Sequence, residues 1–226
     1  MDRFRKLTTI ALISGSLAGL LLFLVQHFAV FPLIEKAETY ESAAEHAMPG
    51  MSSEAAEWHP SEGFERTGLT ALTTVVTSIG FAAILFSIVS LTNASLNWKT
   101  GALWGLAAFV CVDVAPALGL PPQPPGVAVA DLYSRQLWWS ATVALTALGL
   151  WWMAKTGRPW RLRVLGIVGL VIPHLIGAPV ATGATVVPAA LIHSFALASI
   201  LTTGVFWISL GLIGGSIYGR WTKSAD

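Results

Sequence analysis

Six long apolar runs constrain this chain more than any other feature. They occupy roughly 7–31, 67–91, 101–120, 132–154, 162–178 and 189–218. A helix needs about 20 largely apolar residues to cross a hydrocarbon core about 30 Å thick. Lipid offers no hydrogen-bonding partner to a backbone that is neither helical nor closed into a barrel. The runs therefore predict an all-α integral membrane protein, a bundle of about six transmembrane helices. Charge agrees: 11% of the residues are charged, against about 25% in soluble domains. No polar interval is long enough for a second core, so 1–226 reads as a single membrane domain. The third and fifth runs are the shortest and contain proline. Arg3, Arg5 and Lys6 precede the first run like the basic start of a secretory signal. That run exceeds the about 7–15 residues of such a signal and no small-residue cleavage site follows, which predicts a retained helix.

Lysine and arginine in short loops set orientation. With the N-terminus inside, the inner segments hold Arg3, Arg5, Lys6, Lys99, Lys155, Arg158, Arg161, Arg163, Arg220 and Lys223, and the outer ones only Lys36, Arg66 and Arg135. Both ends are then cytoplasmic. Removing one span would place the basic cluster at 155–163, or the tail, on the wrong side. Trp98, Trp104, Trp151, Trp152, Trp160 and Trp221 mark the inner interface; Phe28, Phe31, Trp138 and Trp139 mark the outer one. Gly15/Gly19, Gly101/Gly105, Gly211/Gly215 and Gly215/Gly219 are spaced to let helices approach closely.

The outer loop at 32–65 carries eight glutamates and one lysine. Glu38, Glu41 and Glu45 follow helical spacing, so 36–47 is a candidate short helix with an acidic face. Two readings stand: a solvated face that avoids cytoplasmic positive charge, or a cation funnel at the outer mouth built from Glu35, Glu38, Glu41, Glu45 and Glu65.

Polar groups inside a membrane are expensive and ask for a reason. His27, Asp113, His174 and His193 stand out. His27 lies five residues before Pro32, His174 five before Pro179, and His193 five after Pro188. Each is roughly 7–8 Å from its proline, which puts three imidazoles at one expected level in the outer leaflet. Asp113, three residues before Pro116, is comparable or deeper. Imidazole and carboxylate suit divalent first-row metals, so the four are candidate ligands for cobalt, nickel or zinc. The plainer alternative is an interfacial hydrogen bond for each histidine and a helix-linking role for Asp113. Chain spacing does not fix rotation about each helix axis.

Pro116 and Pro173 fall within helices beside Asp113 and His174. Proline removes a backbone donor and kinks a helix, and broken helices line many transporter sites; packing alone is the other reading. Arg135 and Gln136 sit at the outer start of the fourth run, with Asp131, Asp113 or Glu35 as candidate partners for the arginine. Cys111 is the single cysteine and reads as a buried small hydrophobe. His46, Met48 and Met51 would suit Cu(I). No G-x-x-x-x-G-K-[ST], H-E-x-x-H or G-x-S-x-G pattern occurs, which argues against ATP hydrolysis by a P-loop and against the commoner hydrolases.

Five blocks in order, Pro32-Leu-Ile-Glu-Lys-Ala-Glu, Trp58-His-Pro-Ser-Glu-Gly-Phe-Glu-Arg66, Ala115-Pro-Ala-Leu-Gly-Leu-Pro-Pro, Asp131-Leu-Tyr-Ser-Arg-Gln-Leu-Trp-Trp139 and Pro173-His-Leu-Ile-Gly-Ala-Pro179, resemble the CbtA-type cobalt transporter subunits of bacteria over nearly the whole chain. The resemblance implies uptake of Co2+ tied to cobalamin biosynthesis, the bacterial inner membrane, and a small CbtB-type partner with one span and a histidine-rich end. The matching polar positions are Glu35, Glu38, Glu65, Arg66, Asp113, Asp131, Arg135, Gln136 and His174; Gln123 stands where a glutamate is expected. The expected function is thus a divalent-metal permease subunit, oligomeric or not, with no resident cofactor and no nucleic-acid partner. Its rivals are a membrane enzyme with an outward-facing site of Asp113, Arg135 and His174, and a scaffold for another transporter.

Overall fold

The computed structural model describes residues 2–47, 60–61, 63–92, 94–154, 157 and 159–223, and these form helices and connecting loops without a strand. In chain order they are α1 (Asp2–Ala29), α2 (Phe31–Ala47), α3 (Phe64–Thr92), α4 (Trp98–Phe109), a π-helix (Val110–Val114), α5 (Ala115–Ala117), α6 (Leu132–Ala154), α7 (Trp160–Ile176) and α8 (Ala189–Lys223). Among the described residues, five stretches are long and apolar enough to cross a membrane: Phe4–Ala29, Phe64–Thr92, Trp98–Ala117, Leu132–Ala154 and Ala189–Arg220. The run expected at 162–178 forms α7, 17 residues long, or about 25 Å at 1.5 Å per residue.

Two local departures from the sequence pattern have physical causes. The segment expected as a loop from residue 32 begins instead as helix, because α2 starts at Phe31, one residue after the turn at Val30. Pro32 lies in the first turn of α2, where its missing N–H would have no intrahelical acceptor. The third span is not uniformly α-helical. The Ala115 N–H closes on the Val110 carbonyl, five residues back, and the π-turn lies just before Pro116. Proline cannot donate and its ring crowds the carbonyl four residues earlier, so the helix widens upstream.

The chain divides into two compact units. The first holds residues 1–32, 42–106 and 201–226. There α1 crosses α3 at Gly15 and Gly19: a Cβ on Gly15 would lie 2.6 Å from the Ile79 Cα, and one on Gly19 2.8 Å from the Ser78 Cβ. The start of α4 crosses the end of α8 just as closely, with Gly101 and Gly105 against Trp207, Gly211 and Gly215. Two of the glycine pairs singled out by spacing, Gly101/Gly105 and Gly211/Gly215, thus meet one another. Phe81 packs on Phe206 and Trp207, and Phe86 on Gly214. Asn97 caps α4, its side-chain oxygen accepting from the Lys99 and Thr100 amides at 2.9 and 3.2 Å, which satisfies donors that a helix start leaves open.

The second unit holds residues 33–41 and 107–200. In it α6 and α7 cross at Gly149 and Gly166, where a Cβ on Gly166 would stand 2.8 Å from the Gly149 carbonyl oxygen. Ala37, Val187 and Leu191 form a small buried cluster with Leu33, Tyr40, Val127 and Ile192 around it, seating the first part of α2. The proline-rich loops after α5 and α7 are joined: the Val186 N–H donates to the Gly126 carbonyl at 3.2 Å, and the Ala128 N–H to the Thr185 hydroxyl at 3.3 Å.

Candidate functional site

The second unit contains most of the residues that sequence singled out: Glu35, Glu38, Glu41, Asp113, Pro116, Arg135, Gln136, Pro173, His174 and His193. Asp113 sits within the π-helix and is half-buried, between buried Cys111 and buried Ala115 and Pro116. Single wide turns of this kind are frequent at functional sites. α6 packs against both this π-helix and α5. His174 is half-buried and follows Pro173, which is buried inside α7. Both prolines therefore stand close to the end of a helix, each beside one of the two polar side chains that sequence marked.

Trp138 joins these ends. It is buried at 8% exposure. Its indole N–H donates to the Pro173 carbonyl at 3.2 Å, and its ring meets the His174 imidazole edge to face, centroids 5.8 Å apart at 69°. On the other side the indole lies on Gly119, where a Cβ would come within 2.5 Å of Cη2 and 3.0 Å of the Ala178 Cβ. Sequence had assigned Trp138 only to the outer interfacial belt. The available signal was the small and polar series Trp138, Thr142, Thr146 and Gly149, all buried along one side of α6. Thr142 donates its hydroxyl to the Trp138 carbonyl at 2.8 Å, whereas the Thr146 hydroxyl is buried without a hydrogen-bond partner.

The remaining candidate residues are placed variously. His193 and Gln136 are exposed, and Arg135 is half-buried with Nε lacking a partner. His27 belongs to the first unit, with Phe23, Phe28 and Phe31 ring centroids 5.9, 5.2 and 5.3 Å away. Its Nδ1 is buried without a hydrogen-bond partner. Metal-ligating histidines usually give their second nitrogen to an acceptor, and those rings supply none. Among the described residues no three His, Cys, Asp or Glu side chains are grouped so as to hold a metal ion.

Of the acidic residues, Glu35 is exposed, Glu38 half-buried, and Glu41 half-buried against Gly126. Glu65 closes the start of α3: the Ser61 hydroxyl and the Ser61 N–H both donate to its carboxylate, the latter at 3.2 Å. The Glu45 side chain, Met48 and Met51 lie outside the described residues.

Asp131 caps α6, accepting from the Ser134 N–H at 2.9 Å and the Ser134 hydroxyl at 3.1 Å. These bonds, the Ser134 amide first, hold its carboxyl below the usual carboxylate range. A depressed folded-state pKa gives stability that is present above the unfolded value of about 4 and is lost as pH falls through the folded value. The protection of amides in the first turn of α6, relative to their intrinsic exchange at each pH, is expected to fall in that acid window. Asp131→Asn, which caps without titrating, should keep that protection constant with pH; an unchanged protection profile in the wild type would contradict the cap.

A family model described as probable cobalt transporter subunit (CbtA) matches residues 4–219. The chain belongs to that family. No curated protein and no solved structure matches it. As a CbtA-family chain with several spanning helices it is a multi-pass membrane protein and a transporter subunit, and the word subunit implies a second component. The five sequence blocks that carried the resemblance all lie within the matched region.

Proposed function

We propose that this chain is the permease subunit of a bacterial inner-membrane Co2+ uptake system, with a small CbtB-type subunit as its partner. The observation that carries the reading is the family match over nearly the whole chain. Six helices cross the bilayer with both ends cytoplasmic: the ten-to-three distribution of basic residues favours it, and the length of α7 is at the lower end of the about 17–25 residues of spanning helices. Cations gather at the acidic outer segment around α2. They pass to Asp113 and His174, the two ionisable side chains beside the proline-interrupted ends of the same unit. Movement at Pro116 and Pro173 then opens the path inward. Co2+ is the cargo, not a resident cofactor, and no catalytic step is assigned.

The test is radioactive cobalt uptake in cells lacking their own cobalt importer, with the chain expressed alone and with its small partner. Uptake above empty membranes, competed by nickel or zinc, is expected. Absence of uptake in both arrangements, with the protein inserted, would remove the permease reading and advance the scaffold.

A further inference from the structure

The last turn of α7 is tied down from outside its own helix. Pro173 has no N–H, so the bond it would make to the Gly169 carbonyl does not exist. The Pro173 carbonyl, in turn, accepts twice: from the Gly177 N–H at 3.1 Å and from the Trp138 indole at 3.2 Å. A buried indole N–H needs an acceptor, and this one finds it on the residue immediately before His174. The same ring faces the imidazole. It fits only because Gly119, just beyond α5, has no side chain. One side chain of α6 therefore touches the ends of both proline-interrupted helices.

We propose that Trp138 is the positioning residue for His174, setting where that imidazole stands through the Pro173 carbonyl and the edge-to-face ring contact. Resting on the permease reading above, the inference makes Trp138 a determinant of metal capture that acts through His174, not as a ligand. Gly119 is the other half of the device, because it fixes how far the indole reaches toward α7. Loss of the indole N–H leaves the last turn of α7 without its tie to α6, and the imidazole is no longer held.

Two measurements on the full chain in its membrane test this. The first is the rate of diethylpyrocarbonate labelling of His174, read by mass spectrometry, which needs no transport. Trp138→Phe keeps an aromatic ring but removes the donor and is expected to speed labelling of His174 several-fold while exposed His193 is unchanged. Gly119→Ala, which displaces the indole without deleting it, should act in the same direction. The second is the cobalt dependence of uptake. Trp138→Phe is expected to raise KM about three- to tenfold, the scale of one lost hydrogen bond, with little change in the maximal rate. Any residual uptake of His174→Ala should not change further when Trp138→Phe is added, since the two act as one unit. Equal labelling in the wild type and both variants overturns the proposal. So does faster labelling with unchanged KM, or effects that multiply in the double variant. Faster labelling in a protein that takes up no cobalt in any form sinks the permease reading and the capture role with it, while the positioning of His174 stands.

Discussion

Gly105→Leu is expected to eliminate the folded protein from the membrane. A Cβ at Gly105 would lie 3.0 Å from the Trp207 carbonyl carbon and closer still to its oxygen, and 3.4 Å from the Gly211 Cα. The obstruction is backbone, so no rotamer change in a neighbour relieves it. α4 and α8 must separate or shift. Overpacking a core whose side chains can yield costs about 1–3 kcal/mol, and this crossing belongs at or above the top of that range. Separation would also remove the neighbouring contacts of Gly101 with Gly211 and Gly215, since close approach is what drives helices together in lipid. Gly80→Leu is the matched control: it enlarges a glycine on α3 that meets nothing within 4 Å. Membrane-inserted protein, measured by immunoblot and by monodispersity after mild detergent extraction, should fall at least about tenfold for Gly105→Leu and stay near wild type for Gly80→Leu. Equal levels would show that the α4–α8 crossing is not held by these glycines.

That prediction rests on features largely visible in the sequence. Apolar length alone located five stretches that are long and apolar enough to span, out of the six expected, and four-residue glycine spacing marked helix faces that the structure brings together. What spacing could not supply is rotation about each axis. His193 and Gln136 lie on exposed faces while Trp138, two residues from Gln136, is buried, and nothing in a wholly apolar helix distinguishes a lipid-facing side from a packed one. Pro32 does follow the end of α1, but a second helix starts at Phe31, because proline is as acceptable in the first turn of a new helix as after the end of an old one. The π-turn at Val110–Val114 was hidden for a related reason. Pro116 announces a disturbed helix, but whether it kinks, unwinds or widens depends on what packs there, here α6. Glu65 shows the same ambiguity among the carboxylates: its nearest oxygen partner is the Ser61 cap, a role a glutamate near a helix start serves as readily as collecting cations.

Asp113→Asn is expected to stop cobalt uptake while leaving the protein inserted, and the reasoning turns on sign. An ionised aspartate at the centre of a spanning helix disfavours insertion by about 2.5–3.5 kcal/mol, and by less towards the end of the span, where Asp113 lies. Asparagine keeps the shape and a hydrogen-bonding oxygen without the charge, so the substitution eases insertion. A loss of uptake with the protein present in the membrane is therefore not a failure of insertion. What asparagine lacks is the negative charge that offsets a divalent cation leaving water, and amides bind first-row metals far more weakly than carboxylates or imidazoles. His174→Ala removes the other polar side chain next to a proline in the same unit, opening space beside Trp138 but leaving the indole bond to the Pro173 carbonyl available. Both variants should accumulate to within about twofold of the wild type and lose cobalt uptake by tenfold or more, in line with the 10–100-fold losses typical when even outer contacts to a metal ligand are cut. The pair also separates the permease from the scaffold. A scaffold that uses Asp113 and His174 only to link helices would give variants that lose assembly and uptake in proportion. A permease gives inserted protein that no longer transports, and raising external cobalt should restore part of the rate in His174→Ala, where Asp113 remains, more readily than in Asp113→Asn, where the charge is gone.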